Sequence, residues 1–320
     1  VCAIYLNIGF DEAYYSLYTQ NLNLSYSPSF REALVTYLQP VANNTNPFFI
    51  QNGNPNLKPS KTHQVNLNLY KYDTQKTLSY NVYLGGSVQN DGVIMSREIS
   101  DGGVQTVTPI NQDGIWQFHS NGNISKDFKG TKRQFTVSTG YWGNYNRSFV
   151  IVNGNVSTSQ LINGGPRLGG RINLNDKFEL GETYSFGFNK SFYENDFYTN
   201  LNYYNHSSDT EVILRFPKKV VCETNYRLQH NTQTVNGQNN TISFWNAAVT
   251  FLFLKNDRLQ LKCSVNDILN TNNRRYIYLS ENTVRDMRIN NLGRHGLFTL
   301  TYNIQNFGGK VGGKDTMFRF

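Results

Sequence analysis

Apolar and polar residues alternate along this chain with a period of two, almost from one end to the other. Residues 64–69 are typical: Val65, Leu67 and Leu69 share one parity, Gln64, Asn66 and Asn68 the other. The same texture puts Leu78, Tyr80, Val82 and Leu84 on one side of TLSYNVYL, and Phe135, Val137, Thr139, Tyr141 and Tyr145 on one side of QFTVSTGYWGNY. It continues through Leu168, Ile172 and Leu174, then Tyr184, Phe186 and Phe188, then Phe197, Leu201 and Tyr203, then Val212, Leu214 and Phe216. The last third adds Cys222, Tyr226 and Leu228; Trp245, Ala247, Val249, Phe251 and Phe253; Leu259, Leu261 and Val265; and Phe298, Leu300 and Tyr302. Strand side chains alternate between two faces, whereas helical ones recur every 3.6 residues, so the spacing predicts strands nearly throughout.

About fourteen strands are expected, many of about 10 to 14 residues, against roughly 5 to 6 in a soluble sheet. Short connections are read at SDGG (100–103), PKK (217–219) and KND (255–257), and long ones at 30–60 and 148–165. A tilted membrane-spanning strand needs about 9 to 11 residues. In lipid every backbone polar group must be paired, so strands cross only as a closed barrel. Alternation, unequal loops and aromatics near strand ends, as in YKY (70–72), YW (141–142), FY (197–198) and YY (203–204), all fit such a barrel. The competing fold is a soluble β-sandwich whose apolar rows meet in a core. Strand length and loop asymmetry favour an antiparallel transmembrane β-barrel.

Composition narrows the alternatives. Aromatic residues make up 14% of the 320, with 21 Tyr and 21 Phe against 3 Trp, and only 16% are charged. The longest apolar run, AAVTFLFL at 247–254, has a strand's length and falls short of the roughly 18 residues of a spanning helix. No basic and apolar leader opens the chain at Val1, so a signal peptide was removed or the chain begins within a longer protein. No linker or charge block divides it, and residues 1–320 read as one domain.

The net charge of +8 is scattered, with no basic stripe and no nucleic-acid motif, so no nucleic-acid partner is expected. Cys2, Cys222 and Cys263 lack CxxC or Cys/His metal spacing, which argues against a metal or other cofactor. Cys222 and Cys263 lie on apolar parities, as small hydrophobes rather than disulfide partners. Neither HExxH nor Gly-x-Ser-x-Gly occurs. His206, Ser207 and Asp209 are near neighbours, but adjacent strand residues point to opposite faces and form no triad. The Gly-rich stretches lack the strand-then-helix setting of a phosphate loop. An enzyme is not expected.

Two segments carry a family resemblance. LNLSYSPSFREALVTYLQPVANNTNPFFIQNGNPNLKPS holds Leu24-Ser25-Tyr26-Ser27, then Arg31, Leu38, Pro40, Asn46-Pro47 and Gly53-Asn54-Pro55-Asn56-Leu57-Lys58-Pro59. It resembles the signature region of TonB-dependent receptors and related outer-membrane barrels. Ser60 stands where that pattern has Glu, and SPSFREAL lacks the pattern's second Arg and its Pro near Arg31. VNDILNTNN (265–273) and NNLGRHGLFTLTYNIQNFG (290–308) are similar to the family's late Asn-Asp element and its closing strand. Pro55 and Pro59 fix φ and remove two N–H donors, so Arg31, Pro40, Asn54, Pro55, Asn56, Leu57, Lys58 and Pro59 are taken as structural, organising a corner.

The resemblance implies the C-terminal part of a 22-stranded plugged barrel in the outer membrane of a diderm bacterium. It implies import of a scarce solute (a metal chelate, glycan or peptide), with a plug and TonB engaged through an N-terminal region not in this chain. Outer-membrane lipid would be the other partner. Residues 28–60 and 148–165 would be extracellular loops, and 308–320, ending at Phe320, a tail. A passive porin-like or structural barrel is the alternative, and a soluble β-rich adhesion protein a third.

Overall fold

The computed structural model describes residues 4–10, 18–194, 198–233, 241–271, 274–280, 283–289 and 292–304. Nineteen strands follow in order: β1 (Ile4–Phe10), β2 (Tyr18–Arg31), β3 (Asn43–Asn46), β4 (Phe49–Gln51), β5 (Ser60–Asp73), β6 (Leu78–Asn90), β7 (Gly92–Ile99), β8 (Gln105–Gln112), β9 (Ile115–Lys129) and β10 (Arg133–Val152). The rest are β11 (Asn155–Leu174), β12 (Phe178–Tyr193), β13 (Leu201–Leu214), β14 (Val220–Asn231), β15 (Thr241–Phe253), β16 (Leu259–Asn266), β17 (Arg274–Ser280), β18 (Thr283–Ile289) and β19 (His295–Tyr302). The sole α-helix among the described residues, α1, is Val35–Leu38. Among the described residues no helix is long and apolar enough to cross a membrane.

Thirteen strands pair in one antiparallel meander: β1, β2, β5, β6, β9, β10, β11, β12, β13, β14, β15, β16 and β19. The six short strands form hairpins between them. The expected fourteen thus become thirteen wall strands plus insertions. Short and long connections alternate with one exception, the two-residue turn at 153–154, which lies at the long-loop end. At one end lie turns of three to five residues, at 74–77, 130–132, 175–177, 215–219 and 254–258. At the other lie 32–59, 91–114, 194–200, 232–240 and 267–294, which carry α1 and every inserted hairpin.

Three expectations need correction. Residues 148–165 are strand, because Asn153 (φ 49) and Gly154 (φ 77) both take the left-handed conformation of a two-residue hairpin turn and let β10 pair with β11 over its full length. SDGG is a short connection as expected, the tip of the β7–β8 hairpin at the long-loop end. Leu201 and Tyr203 do not start an apolar row: β13 is one strand, and its outer row is Tyr204, Val212 and Leu214 on the opposite parity. Tyr141 and Trp142 likewise sit mid-strand rather than at an end. Cys2, Phe197 and the 308–320 tail lie outside the described residues.

The register locks the two parities into two faces. Tyr26 faces Val65 and Val65 faces Gly86, while Leu24, Leu67 and Leu84 align, and so do Leu22, Leu69 and Val82. The apolar row runs on through Ile172, Leu180 and Val212, then Cys222, Val249, Cys263 and Phe298. Among the described residues no second sheet covers it. Val137 is 56% and Phe118 47% exposed, whereas Val107 and Val152 are 3% and 1% exposed. The buried apolar residues gather at the long-loop end, where Ile94, Ile115 and Ile151 touch, with Phe149 and Ile110 beside them. A sandwich would bury its apolar rows between sheets, so this wall is not one.

Strand length explains that distribution. At about 3.3 Å per residue, the 20-residue β10 and β11 far exceed a tilted bilayer crossing. The distal end of β10 forms parallel bridges from Ile151 and Val152 to Ser96 and Arg97 of β7. A small water-excluding core therefore caps a wall whose main apolar face stays open.

Candidate functional site

The polar parity builds the site. On β2, β5 and β6 it presents four amides (Asn21, Asn23, Asn66 and Asn68), two phenols (Tyr70 and Tyr83) and Ser25, around a pocket of about 550 Å³. These residues meet because the register sets Asn23 beside Asn68 and Asn68 beside Tyr83. Asn66 Oδ1 accepts from Tyr83 Oη at 2.9 Å and from Gln64 Nε2 at 3.1 Å. The Tyr83 ring stacks on His119, with centroids 5.0 Å apart. Gly85 makes room for that histidine, since a Cβ there would lie 2.2 Å from its Cε1.

Amides continue along the polar face. Asn144 Nδ2 donates to Asn163 at 2.9 Å, and Asn189 Nδ2 to Asn205 at 3.0 Å. From β9 onward, however, the same face carries charges, beginning with Asp127, which accepts from Thr136 Oγ1 at 2.7 Å. Glu179 pairs with Arg215 and, at 3.6 Å, with Arg171, which also reaches Glu211 at 2.9 Å. Asp209 accepts from Arg227 Nε at 2.6 Å and Asn225 Nδ2 at 2.7 Å, and Lys262 pairs with Glu223 at 2.9 Å. One wall is amide and phenol; the other is ion-paired.

The signature residues lie together at the long-loop end. Arg31 ends β2 opposite Ser60, whose hydroxyl donates to the Arg31 carbonyl at 3.2 Å. Asn54 donates through its backbone to the Tyr37 carbonyl at 2.6 Å and through Nδ2 to the Pro109 carbonyl at 3.0 Å, while its Oδ1 accepts from the Asn56 N–H at 3.0 Å. Lys58 is held by Asn111, whose Oδ1 accepts from its N–H at 2.8 Å and whose Nδ2 donates to its carbonyl at 3.0 Å. Pro40 follows the residue that caps α1, and Pro55, Leu57 and Pro59 lie in the same docked turn. The motif thus fastens the 32–59 connection to β8. Asn111 was not singled out from sequence, because its partner is 53 positions away.

Other candidates separate. His206 shares the apolar face with Phe186, and Ser207 and Asp209 take the opposite parity. Cys222 and Cys263 are free thiols flanking Val249 on the apolar face. Among the described residues no group of three or more His, Cys, Asp or Glu could hold a metal ion.

A broad exposed apolar face backed by a hydrated polar one suits lipid on one side and water on the other. The sequence model of the Outer membrane protein beta-barrel family matches residues 13–302. The chain belongs to that family. Its place is the outer membrane, with the row of Val65, Leu67 and Leu69 toward lipid and Asn66 and Asn68 toward the lumen. Among curated proteins none matches the chain.

Proposed function

We propose that this chain is part of the barrel wall of a TonB-coupled outer-membrane receptor that imports a scarce solute. The observation that carries the reading is the Gly53–Pro59 segment, which resembles the receptor signature and anchors a structured cap over the long-loop end. The lumenal wall supports it as well: a pocket on one side and an ion-paired surface on the other offer distinct footings for a solute and a plug. In outer-membrane barrels the long loops are extracellular, so this cap would meet the solute first. Residues outside this chain would supply the plug and the contact with TonB.

The test is uptake by cells that make the full native gene product, with TonB present or deleted. Uptake that stops on TonB deletion or on collapse of the proton gradient supports the receptor. Uptake indifferent to both sinks it in favour of a passive barrel.

A further inference from the structure

The lumenal wall is divided chemically. Every side chain lining the pocket on β2, β5 and β6 is uncharged, whereas the paired charges lie further along the same face, from β11 to β16 and the turn at Arg215. Each asparagine amide offers two N–H donors and an acceptor oxygen, and each tyrosine a ring face with a hydroxyl. A charged solute settling here would meet no counter-charge to offset the hydration it gave up against the wall. A hydrocarbon would leave the amides without partners. A neutral, hydroxyl-rich ring compound meets both demands: its hydroxyls take the amide donors and acceptors, and its C–H faces lie against Tyr70 and Tyr83.

The site is also held in advance. Tyr83 is fixed by its bond to Asn66 and its stack on His119, and Gln64 fixes Asn66 from the other side. Groups already in place need little ordering on binding, which favours affinity. The volume of about 550 Å³ suits a small ligand or a short stretch of a longer one.

We propose that this pocket binds a neutral saccharide, a deepening that rests on the reading of the protein as a solute receptor. The salt-bridged wall then serves another contact, and selectivity for uncharged sugars is built into β2, β5 and β6.

The test is calorimetric titration of the detergent-purified full native protein with maltohexaose, cellohexaose and mannohexaose, beside hexagalacturonate and an acetylated, amidated hexapeptide. The expected result is binding of at least one neutral hexasaccharide with little dependence on salt. Asn68→Ala and Tyr70→Ala should each weaken it roughly tenfold, the loss of about one neutral contact. Val82→Ala, on the lipid face of β6, should leave it unchanged. Binding of only the acidic sugar or the peptide, of nothing in the panel, or without sensitivity to Asn68→Ala and Tyr70→Ala overturns the proposal. Its failure is separable from that of the receptor. TonB-dependent uptake of a charged solute would sink the saccharide site alone, and sugar binding with TonB-independent passage would sink energy coupling alone.

Discussion

Gly53 shows how a single residue fixes the long-loop cap. A Cβ there would fall 1.7 Å from the Gln39 carbonyl oxygen, so no larger residue fits without moving backbone. The adjacent Asn54 N–H binds the Tyr37 carbonyl across the same close approach. Gly53→Ala should therefore undock the 32–59 connection, at a cost of about 1 to 3 kcal/mol by analogy with overpacked sites. Limited proteolysis of the membrane-embedded protein should cut within 32–59 in the variant and spare the parent; equal resistance would show that the loop relaxes freely. In the lumen, Glu179 bridges Arg171 and Arg215 and is itself largely shielded. Glu179→Gln removes the carboxylate that Arg215 pairs with and that Arg171 shares with Glu211, and should destabilise by about 1 to 3 kcal/mol. The measure is the urea midpoint in detergent, and an unchanged midpoint would mean that water replaces the pair. The signature was legible in the sequence as a rigid corner, because prolines announce their constraints locally. Its docking on Asn111 was not, because nothing local marks a partner brought in by another hairpin.

At the scale of the strand, parity was legible and boundaries were less so. A period of two assigns faces without knowledge of neighbours, and the register keeps the rows of Leu24, Leu67 and Leu84 together. The β10–β11 turn was missed although Asn153-Gly154 is a hairpin signal, because its Asn- and Ser-rich surroundings read as loop. The start of β13 misled because Tyr203 and Tyr204 fit either row, and only pairing with Asn189 and Phe188 settles which faces lipid. The pocket was beyond the sequence, since its residues come from three strands and look like any polar parity. Face assignment makes a sharp prediction on adjacent strands. Leu168 on β11 points to lipid, and Thr183 on β12 points to the lumen near Asp209. Leu168→Arg should cost about 2 to 4 kcal/mol, less toward the interface, while Thr183→Arg should be nearly neutral. Heat-modified gel mobility after refolding into lipid reads both. Equal losses would mean that the faces are wrongly assigned.

For the whole molecule, direction decides how the wall can close. Thirteen strands in an antiparallel meander leave β1 and β19 running the same way. Among the described residues β1 pairs only with β2, and β19 only with β16. Phe298 and Leu300 of β19 are 82% and 68% exposed, more than the 56% of Val137 inside the sheet, as a strand open on one side should be. Joining β1 to β19 directly would make a parallel seam in an otherwise antiparallel wall. Antiparallel closure needs an odd number of further strands, and a barrel of about 22 strands would need nine. Parity therefore argues only against closure of these thirteen strands on themselves, since unpaired edges in lipid are too costly to persist and further strands must pair with β1 and β19. Cysteine trapping in the full native protein tests this. Cysteine at position 8 is combined in turn with cysteine at 298, 300 or 302, in a background lacking the native thiols. A disulfide requires Cα atoms within about 7 Å. The expected outcome is no cross-link in any pair, since intervening strands hold the two edges apart. A high yield in one pair would establish a thirteen-strand barrel with a parallel seam, too narrow for the plug on which the receptor reading depends.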